Sequence, residues 1–358
     1  MIYVHVPFCR SFCTYCDFYS EVCPDSARGR EAERDYVDKV CEEISRRREE
    51  IASTLGVNTL YFGGGTPSVL SPSSLRRIVD CLALPSIREF NVEVNPDDIL
   101  KGGTDYVRAL RELGADRVSM GVQSLSDSIL RWMNRRHDAA SALEAFRILR
   151  EGGIANISLD IIFGIRGLSD DTLDQTLRGL LALGPEHISA YQLSIEPGSA
   201  LGRLVESGRY KEAEEEQCSR QYGLICTRLR EAGYEHYEIS NWALPGRRAI
   251  HNSAYWKRLP YVGLGPGAHS FDGTRRFWNS DSLPVWTSGS ETLSAEQALD
   301  ETVMLGLRTS EGVDASLLDA RRVASLMKKG ALELLDDKVR IPEDRFFVSD
   351  DIISELLV

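Results

Sequence analysis

Short runs of β-branched and aromatic residues recur along the first half of the chain, and longer stretches with helical periodicity separate them. The runs predict β-strands at Ile2–Val6, Thr59–Phe62, Phe90–Val94, Arg117–Val122, Ile157–Phe163 and His187–Leu193. Several of them are almost continuously apolar, which is typical of parallel strands that are buried on both faces. The pattern therefore predicts a parallel sheet that is covered by helices.

The stretches between the strands carry apolar residues at a spacing of about 3.6, which predicts amphipathic helices. Such helices are expected around Val37–Ile51, Val107–Leu113, Ala142–Leu149 and Thr172–Leu183. Strict alternation of strand and helix favours a parallel sheet. Because six units are too few for a closed barrel of eight, we predict an α/β fold with a partial (β/α)6 barrel.

The pattern changes after residue 194. A charged helix is predicted over Glu212–Ala232, followed by an aromatic, glycine-rich segment and then by a small, mostly helical module that resembles a winged helix. We therefore predict a barrel core over residues 1–205, a barrel extension over residues 206–290 and a C-terminal module over residues 291–358.

The composition is that of a globular protein, with 42% apolar and 27% charged residues. The net charge of -12 argues against a broad phosphate-binding surface, so no nucleic acid partner is expected. No apolar run is long enough to span a bilayer, and the first residues lack the basic region and cleavage site of a signal peptide. We expect a cytoplasmic protein, whose thiols stay reduced.

Three of the eight cysteines, Cys9, Cys13 and Cys16, form the pattern C-x3-C-x2-C after the first strand. Three thiolates on an iron–sulfur cube leave one iron open to a small molecule. A zinc site is the alternative, because His5 would complete a four-ligand set. The other five cysteines show no ligand spacing, and we interpret them as incidental thiols. They are Cys23, Cys41, Cys81, Cys218 and Cys226.

Eight motifs occur in the order YVHVPFCRSFCTYCDF, YFGGGTPS, VEVNP, SMGVQS, NRRH, SLDIIFG, YEISNWALPG and HNSAYW. Together they closely resemble the oxygen-independent coproporphyrinogen III oxidase family of radical S-adenosylmethionine (SAM) proteins, and within it the HemW-type haem chaperone branch. The resemblance runs from Tyr3 to the C-terminus. It implies a [4Fe-4S] cluster on Cys9, Cys13 and Cys16, with SAM bound to the open iron.

The same resemblance implies a set of residues that contact SAM. The set consists of Tyr3, Tyr15, Gly64, Gly65, Thr66, Glu93, Gln123, Arg135 and Asp160. Most of these residues lie at predicted strand ends or in the loops beyond them, where ligand contacts gather in α/β folds. Asp160 stands out because a charge inside an apolar strand needs a partner.

Two departures separate the chain from the oxidase pattern. The oxidase motif has a further cysteine two positions after the third, where this chain has Phe18. The oxidase also carries an arm before its first strand, whereas Tyr3 already belongs to the predicted first strand here. Phe18 could also be a core residue. Both departures fit the chaperone branch, in which porphyrinogen decarboxylation is not expected.

The HNSAYW segment resembles the motif through which the chaperone branch is associated with haem. It implies His251, Tyr255 and Trp256 as haem contacts, because an imidazole can ligate iron and aromatic rings offer flat surfaces to a porphyrin. A structural role is the alternative for His251, since a lone histidine is usually structural. Arg247 and Arg248 could pair with haem propionates or remain solvated.

The resemblance therefore predicts a haem chaperone that binds haem, carries a SAM-coordinating cluster and delivers haem to acceptor haemoproteins. No catalytic residue is assigned. A radical SAM enzyme that acts on a tetrapyrrole stays open, either as a coproporphyrinogen III dehydrogenase or as a haem-modifying methyltransferase, and so does a zinc-stabilised binding protein. Expected partners are haem, its acceptor and, if the cluster is redox-active, a flavodoxin or ferredoxin. A homodimer is compatible with the sequence.

Overall fold

A nine-stranded sheet forms the centre of the protein. The structure is a computed structural model that describes residues 1–54 and 56–357. The strands are β1 (Ile2–Val6), β2 (Phe8–Cys9), β3 (Glu21–Val22), β4 (Thr59–Gly64), β5 (Glu89–Val94), β6 (Arg117–Gln123), β7 (Asn156–Phe163), β8 (His187–Gln192), β9 (Glu235–Glu238), β10 (Asn241–Ala243), β11 (Val262–Leu264), β12 (His269–Phe271), β13 (Arg275–Asn279), β14 (Ser288–Thr292), β15 (Val313–Asp314), β16 (Glu333–Leu335) and β17 (Lys338–Arg340).

Helices alternate with the strands of this sheet and continue into the C-terminal part. They are α1 (Ala27–Arg46), α2 (Arg48–Ser53), α3 (Pro72–Leu82), α4 (Pro96–Glu112), α5 (Asp127–Trp132), α6 (Ala139–Glu151), α7 (Asp170–Leu181), α8 (Ala200–Glu206), α9 (Glu215–Glu231), α10 (Ile250–Trp256), α11 (Ala295–Leu307), α12 (Ala320–Lys328) and α13 (Ser349–Leu357). Short 3₁₀ segments lie at Pro67–Val69, Ala315–Leu317 and Glu343–Val348. Among the described residues, no helix is both long enough and apolar enough to cross a membrane.

The six strands that the sequence predicts are consecutive and parallel in the sheet. The strand order is β11-β1-β4-β5-β6-β7-β8-β10-β9, in which β11 pairs parallel to β1 while β10 and β9 pair antiparallel at the other edge. The predicted α/β fold with a central parallel sheet is therefore confirmed. The three strands at the two edges come from the barrel extension, so this segment completes the central sheet.

Local sequence explains where the helices begin and which face they bury, as α3 illustrates. The Ser71 hydroxyl accepts a hydrogen bond from the Ser74 backbone N–H, and Pro72 occupies the first helical turn, where its missing N–H costs nothing. The side chains of Leu75, Ile78 and Leu82 are buried at helical spacing. The helix therefore packs one apolar face toward the core.

The sheet is strongly curved. Four strand-to-strand steps separate β4 from β8, which would place them roughly 19 Å apart in a flat sheet. Yet Tyr61 of β4 and Tyr191 of β8 line one and the same cavity. The carboxyl ends of β4 to β8 therefore surround a common space, as the predicted partial barrel requires.

The C-terminal part combines helices with small sheets. Strands β15, β17 and β16 form a three-stranded antiparallel sheet beside α11, α12 and α13, and β12, β13 and β14 form another at the end of the preceding barrel extension. The sequence predicts a small, mostly helical module here, and the module is helical as expected but also contains three short strands. The strands of this module have only two or three residues, which is too few for a clear periodicity in the sequence.

Glu43 of α1 joins several distant segments. Its carboxylate accepts hydrogen bonds from the Gly265 backbone N–H at 2.9 Å, Asn279 Nδ2 at 2.9 Å and Trp286 Nε1 at 3.0 Å. Arg47 lies one turn later and pairs with the same carboxylate at 3.0 Å. Glu43 is only 2% exposed, so these four partners compensate its buried charge.

We predict that Glu43→Ala lowers the free energy of unfolding by about 3 to 5 kcal/mol, because it leaves the donors of Gly265, Asn279 and Trp286 without their acceptor and removes the buried one of the two carboxylate partners of Arg47. Denaturant unfolding followed by circular dichroism measures the loss. Glu42→Ala is the matched control, since Glu42 is the exposed neighbour on the same helix, and it should change the value by less than about 0.5 kcal/mol. Equal losses in the two variants would contradict the role of Glu43.

Candidate functional site

The loop that follows β1 carries the three cysteines and is held at both ends. Strands β2 and β3 pair with each other, and the Cys23 backbone N–H donates to the Cys9 carbonyl at 2.9 Å. In the middle of the loop, Thr14 donates through its N–H to the Met133 carbonyl at 3.0 Å. The loop therefore lies across the connection between α5 and α6, and all three thiols are half-buried.

The glycine turn at the end of β4 lies directly under this loop. Gly65 donates its N–H to the Val6 carbonyl at 2.9 Å, and a Cβ at residue 65 would come within 2.8 Å of the Phe8 carbonyl oxygen. Gly64 has a φ of +112°, a conformation that favours glycine. The following Thr66 places its hydroxyl 3.4 Å from the Cys9 sulfur. The fold therefore places the glycine turn in contact with the cysteine loop.

A cavity of about 550 Å³ opens between the cysteine loop and the strand ends. It is lined by the three cysteines and by eight of the nine residues that the resemblance implies for SAM. These eight are Tyr15, Gly64, Gly65, Thr66, Glu93, Gln123, Arg135 and Asp160. Tyr3 is the exception: its hydroxyl lies 3.2 Å from His5 Nδ1 and its ring packs beside Tyr61, next to the cavity rather than in its wall.

Two carboxylates lie in the cavity wall, Glu93 on β5 and Asp160 on β7. Burial raises the pKa of Glu93 to about 7 and the pKa of Asp160 to about 6, and the charge of Asp160 adds to the rise at Glu93. Tyr61 donates to Glu93 at 2.8 Å, and Ser158 donates to Asp160 at 3.3 Å. Ionisation of either carboxyl group is therefore unfavourable in the absence of a ligand. Both groups lie beside open space, where a ligand with hydroxyl or ammonium donors would stabilise their charges.

Arg135 provides a cation close to the cysteines. Its guanidinium donates to the Asn95 side-chain oxygen at 2.7 Å, to the Gly121 carbonyl at 2.6 Å and to the Cys13 sulfur at 3.4 Å. Over the described residues, its buried Nε has no hydrogen-bond partner. A buried, incompletely bonded guanidinium in a cavity wall is well suited to bind a carboxylate.

Gln123 lies at the end of β6 in a strained conformation. Its φ is +67°, which is uncommon for a residue with a side chain, and the pairing with β7 shifts register between Gly121 and Gln123. The bulge turns the Gln123 side chain into the cavity wall. Such strain is found at functional sites because the surrounding structure must maintain it.

The cysteines fit an iron–sulfur cube better than a single zinc ion. Over the described residues, the only group of three metal-ligating side chains whose donor atoms lie within 4.8 Å of one another is elsewhere in the fold. The proposed fourth zinc ligand, His5, uses both ring nitrogens, with Nε2 at 2.9 Å from the Tyr19 carbonyl and Nδ1 near the Tyr3 hydroxyl. Burial raises the pKa of Cys9, and it raises the pKa of Cys16 to about 11, so a positive cofactor is needed to hold thiolates here.

His251 of the HNSAYW segment is buried at the start of α10. Its Nδ1 lies 2.8 Å from the Thr59 hydroxyl and its Nε2 lies 2.9 Å from the Tyr255 hydroxyl, so both ring nitrogens are engaged. Burial lowers the pKa of His251 to about 3. The backbone N–H groups of Ile250 and His251 donate to the Glu89 carboxylate at 2.9 and 2.8 Å, which caps the helix. In this arrangement His251 attaches α10 to the sheet.

Other residues of the segment face open space. Asn252 lines the cavity beside the cysteines, whereas Trp256 lines a second cleft of about 430 Å³ between α10 and the C-terminal module. Arg248 and Lys257 line the same cleft, and both lie near Glu311. The segment therefore lies between two spaces and contributes a different residue to each.

Phe18 is 67% exposed at the rim of the cavity, so the alternative that it is a core residue is wrong. Sequence reasoning also missed several residues of the cavity wall. They include Asn95, Ser158, His187, Ser189 and Tyr191. A signal was present, because polar residues alternate in SLDIIF and HISAYQ as expected for strands with one polar face.

We predict that Asp160→Asn stabilises the ligand-free protein while it weakens SAM binding. Because the pKa of Asp160 is raised to about 6, ionisation of its carboxyl group lowers the free energy of unfolding as the pH rises from about 4 through about 6. Asparagine does not ionise, so the variant has no such loss. The free energy of unfolding of the variant should therefore exceed that of the parent protein by about 1 to 3 kcal/mol at pH 8, and the difference should be small at pH 4. Urea unfolding at both pH values and equilibrium SAM binding measure the two effects.

The exposed Asp80 of α3 offers a control, since Asp80→Asn should change neither quantity. A stability difference between Asp160→Asn and the parent protein that is independent of pH would show that the buried charge is not its cause. Unchanged SAM affinity would remove Asp160 from the ligand site.

Comparisons with known proteins identify the family of the chain. Residues 3–180 match the family model of the radical SAM superfamily. The haem chaperone HemW of Mycobacterium tuberculosis is 31% identical, and the alignment covers 99% of this chain and 94% of that protein. HemW of Bacillus subtilis is also 31% identical, with coverage of 87% and 84%. The mitochondrial radical S-adenosyl methionine domain-containing protein 1 of Danio rerio is 30% identical, with coverage of 87% and 73%.

Among solved structures, the coproporphyrinogen III oxidase HemN of Escherichia coli matches with a TM-score of 0.81 at 20% identity, covering 99% of this chain and 89% of HemN. At this identity the likeness establishes the fold alone. A radical SAM domain implies a [4Fe-4S] cluster and SAM as cofactors. The resemblance based on the eight motifs is confirmed by similarity along nearly the whole chain. The chain therefore belongs to the radical SAM superfamily and, within it, to the HemW haem chaperone family.

Proposed function

We propose that this protein binds haem and delivers it to acceptor haemoproteins, and that it does not oxidise coproporphyrinogen III. The observation that carries the proposal is the 31% identity, along 99% of the chain, to a relative named as a haem chaperone. The exposed Phe18, which stands where the oxidase motif has a further cysteine, supports the distinction from the oxidase.

Cys9, Cys13 and Cys16 are the proposed cluster ligands. Their sulfurs line one cavity wall, and hydrogen-bond donors lie beside them: the Thr66 hydroxyl is 3.4 Å from Cys9 and the Arg135 guanidinium is 3.4 Å from Cys13. Such donors stabilise thiolates, which are the ligating form. Together with SAM, a cluster of this kind supplies one-electron chemistry.

The cavity wall offers complementary groups for each part of SAM. The Arg135 cation suits the methionine carboxylate, and the carboxylates of Glu93 and Asp160 suit hydroxyl or ammonium donors. Tyr15 lies in the same wall and offers a flat ring for the adenine. Tyr3 packs beside Tyr61, whose hydroxyl holds Glu93, so we assign Tyr3 a supporting position.

We place the haem contact of the HNSAYW segment on the face of α10 that carries Trp256. This residue is half-buried in the second cleft, together with the cations Arg248 and Lys257. A flat aromatic surface beside basic groups is complementary to a porphyrin with two propionates. His251 and Tyr255 hydrogen-bond each other beneath this face, and they hold Trp256 in place unless His251 is released to ligate iron.

A second candidate function is a radical SAM enzyme acting on a tetrapyrrole. It is favoured by the extent of the cavity, which continues past the SAM residues to His187 and Tyr191 of β8 and to Glu196. The additional space leaves room for a substrate next to SAM. Anaerobic reconstitution followed by product analysis distinguishes this enzyme from the chaperone.

We predict that Cys13→Ala abolishes the brown absorbance of the anaerobically reconstituted protein at about 400 nm, because only two thiolates remain for the cube. Iron and sulfide analysis measures the same loss. Cys23→Ala is the matched control: this neighbouring thiol is buried and points to the Gly29 carbonyl, so the cluster should stay. A full cluster in Cys13→Ala would refute the ligand set.

We predict that Trp256→Ala weakens haem binding about tenfold, as expected when one aromatic contact is lost. The Soret band during haem titration measures the affinity. Trp278→Ala is the matched control, because Trp278 is 37% exposed on β13 outside the cleft. Equal affinities of the two variants would exclude the cleft as the haem contact.

His251→Ala separates the two roles of that residue. A lower free energy of unfolding with an unshifted Soret band supports the structural role, whereas a shifted band with unchanged stability supports iron ligation.

Conversion of coproporphyrinogen III to protoporphyrinogen IX by the reconstituted parent protein, with SAM and a reductant, would show that the protein is an enzyme and contradict the proposed chaperone function.

A further inference from the structure

A second group of metal-ligating side chains lies away from the cluster loop. Cys226 of α9, His236 of β9 and Glu343 of the C-terminal 3₁₀ segment each offer a donor atom, and these atoms all lie within 4.8 Å of one another. The three residues come from separate elements, and the last belongs to the C-terminal module. Their sequence spacing follows no metal motif, so only the fold brings them together.

The His236 ring is fixed in orientation. It stacks on Trp242 with ring centroids 4.1 Å apart and an angle of 15°, and Phe346 contacts it edge-on at 4.9 Å. Its side chain is only 3% exposed. In this orientation the ring presents Nε2 to Tyr222 and Nδ1 to Glu343.

The neighbouring hydrogen bonds determine which nitrogen carries the proton in the neutral ring. The Tyr222 hydroxyl lies 2.7 Å from the Ile239 carbonyl, which can only accept, so the hydroxyl hydrogen is used there. His236 Nε2, at 3.3 Å from the same hydroxyl oxygen, must then be the donor. His236 Nδ1 is left bare, and it faces a Glu343 carboxylate oxygen at 3.2 Å. Two acceptors at this distance repel each other unless a cation lies between them.

The third group decides which cation fits best. A proton on Nδ1 would explain the contact between His236 and Glu343 alone, whereas a metal ion would also use the buried Cys226 sulfur, which lies within 4.8 Å of the other two donor atoms. Burial raises the pKa of this thiol to about 12, so it stays protonated until a metal displaces the proton. Arg230 occupies the other oxygen of Glu343 at 3.0 Å and leaves the first oxygen free. Sulfur, imidazole nitrogen and carboxylate oxygen together are a typical zinc ligand set.

We propose that Cys226, His236 and Glu343 bind one divalent transition-metal ion of the zinc class. Binding forms a bond from the metal to each donor and releases the Cys226 thiol proton to solvent. The tautomer already suits this role, because a metal-bound histidine donates its other N–H to a neighbouring oxygen, here that of Tyr222. A water molecule completes the coordination on the side of Glu343, whose side chain is 37% exposed. The ion thus ties the C-terminal module to α9 and to the edge of the central sheet.

Metal analysis of the anaerobically reconstituted full-length protein tests the proposal. After removal of loosely bound metal, we expect about one zinc per chain in addition to the iron of the cluster. Cys226→Ala and Glu343→Gln should lose the zinc and keep the iron. Glu343→Gln guards against misfolding, since this residue is partly exposed. Matched controls that keep the zinc are Cys218→Ala, a buried thiol earlier on α9, and Glu333→Gln, another glutamate of the C-terminal module.

Cobalt(II) gives a second readout in a full-length variant that carries Cys9→Ala, Cys13→Ala and Cys16→Ala, which removes the cluster colour and its competing thiolates. A thiolate-to-cobalt absorption band that saturates at about one equivalent and disappears on Cys226→Ala supports the site. The absence of this band, or equal zinc contents of Cys226→Ala and Cys218→Ala, would overturn it and leave a protonated His236 paired with Glu343.

Discussion

The position of the cysteine loop depends on the absence of a side chain at residue 65. A Cβ there would come within 2.8 Å of the Phe8 carbonyl and 3.0 Å of the Val6 carbonyl, and the Gly65 N–H bonds to the latter. Parallel pairing of β1 with β4 places the two loops side by side, and only backbone fits between them. The approach of Thr66 to Cys9, and with it the cavity wall, follows from this contact.

The cavity is a polar interior inside an apolar shell. Alternate residues of β4 to β8 face inward and include the carboxylates Glu93 and Asp160, whose pKa values are raised by burial. The other faces of these strands pack with helices into one hydrophobic core. Because a large core stabilises the fold, the inner face can hold groups that are costly without a ligand. The inner-face groups that favour ligand binding therefore lower the stability of the ligand-free protein.

The extension after β8 connects the sheet to the C-terminal module at two places. Helix α10 is held by Glu89 and by the His251 hydrogen bonds, which direct Trp256 into the cleft beside the module. At the far edge, β9 brings His236 against Glu343 of the module. In our proposals, one junction binds haem and the other a metal ion, so the module is part of the functional protein.

The sequence by itself determined the order of strands and helices, because apolar runs and helical spacing are local properties; β1, for example, has the bounds that the sequence predicts. The cysteine spacing and the motifs likewise indicated the cavity wall. Only the tertiary structure decided the surroundings of individual side chains. Phe18 is apolar yet exposed, His251 belongs to the segment that we propose as a haem contact yet has both nitrogens engaged, and Cys226 lacks any ligand spacing yet lies beside His236. Burial and partners of this kind arise where distant segments meet, and no local pattern records the path of the chain between them.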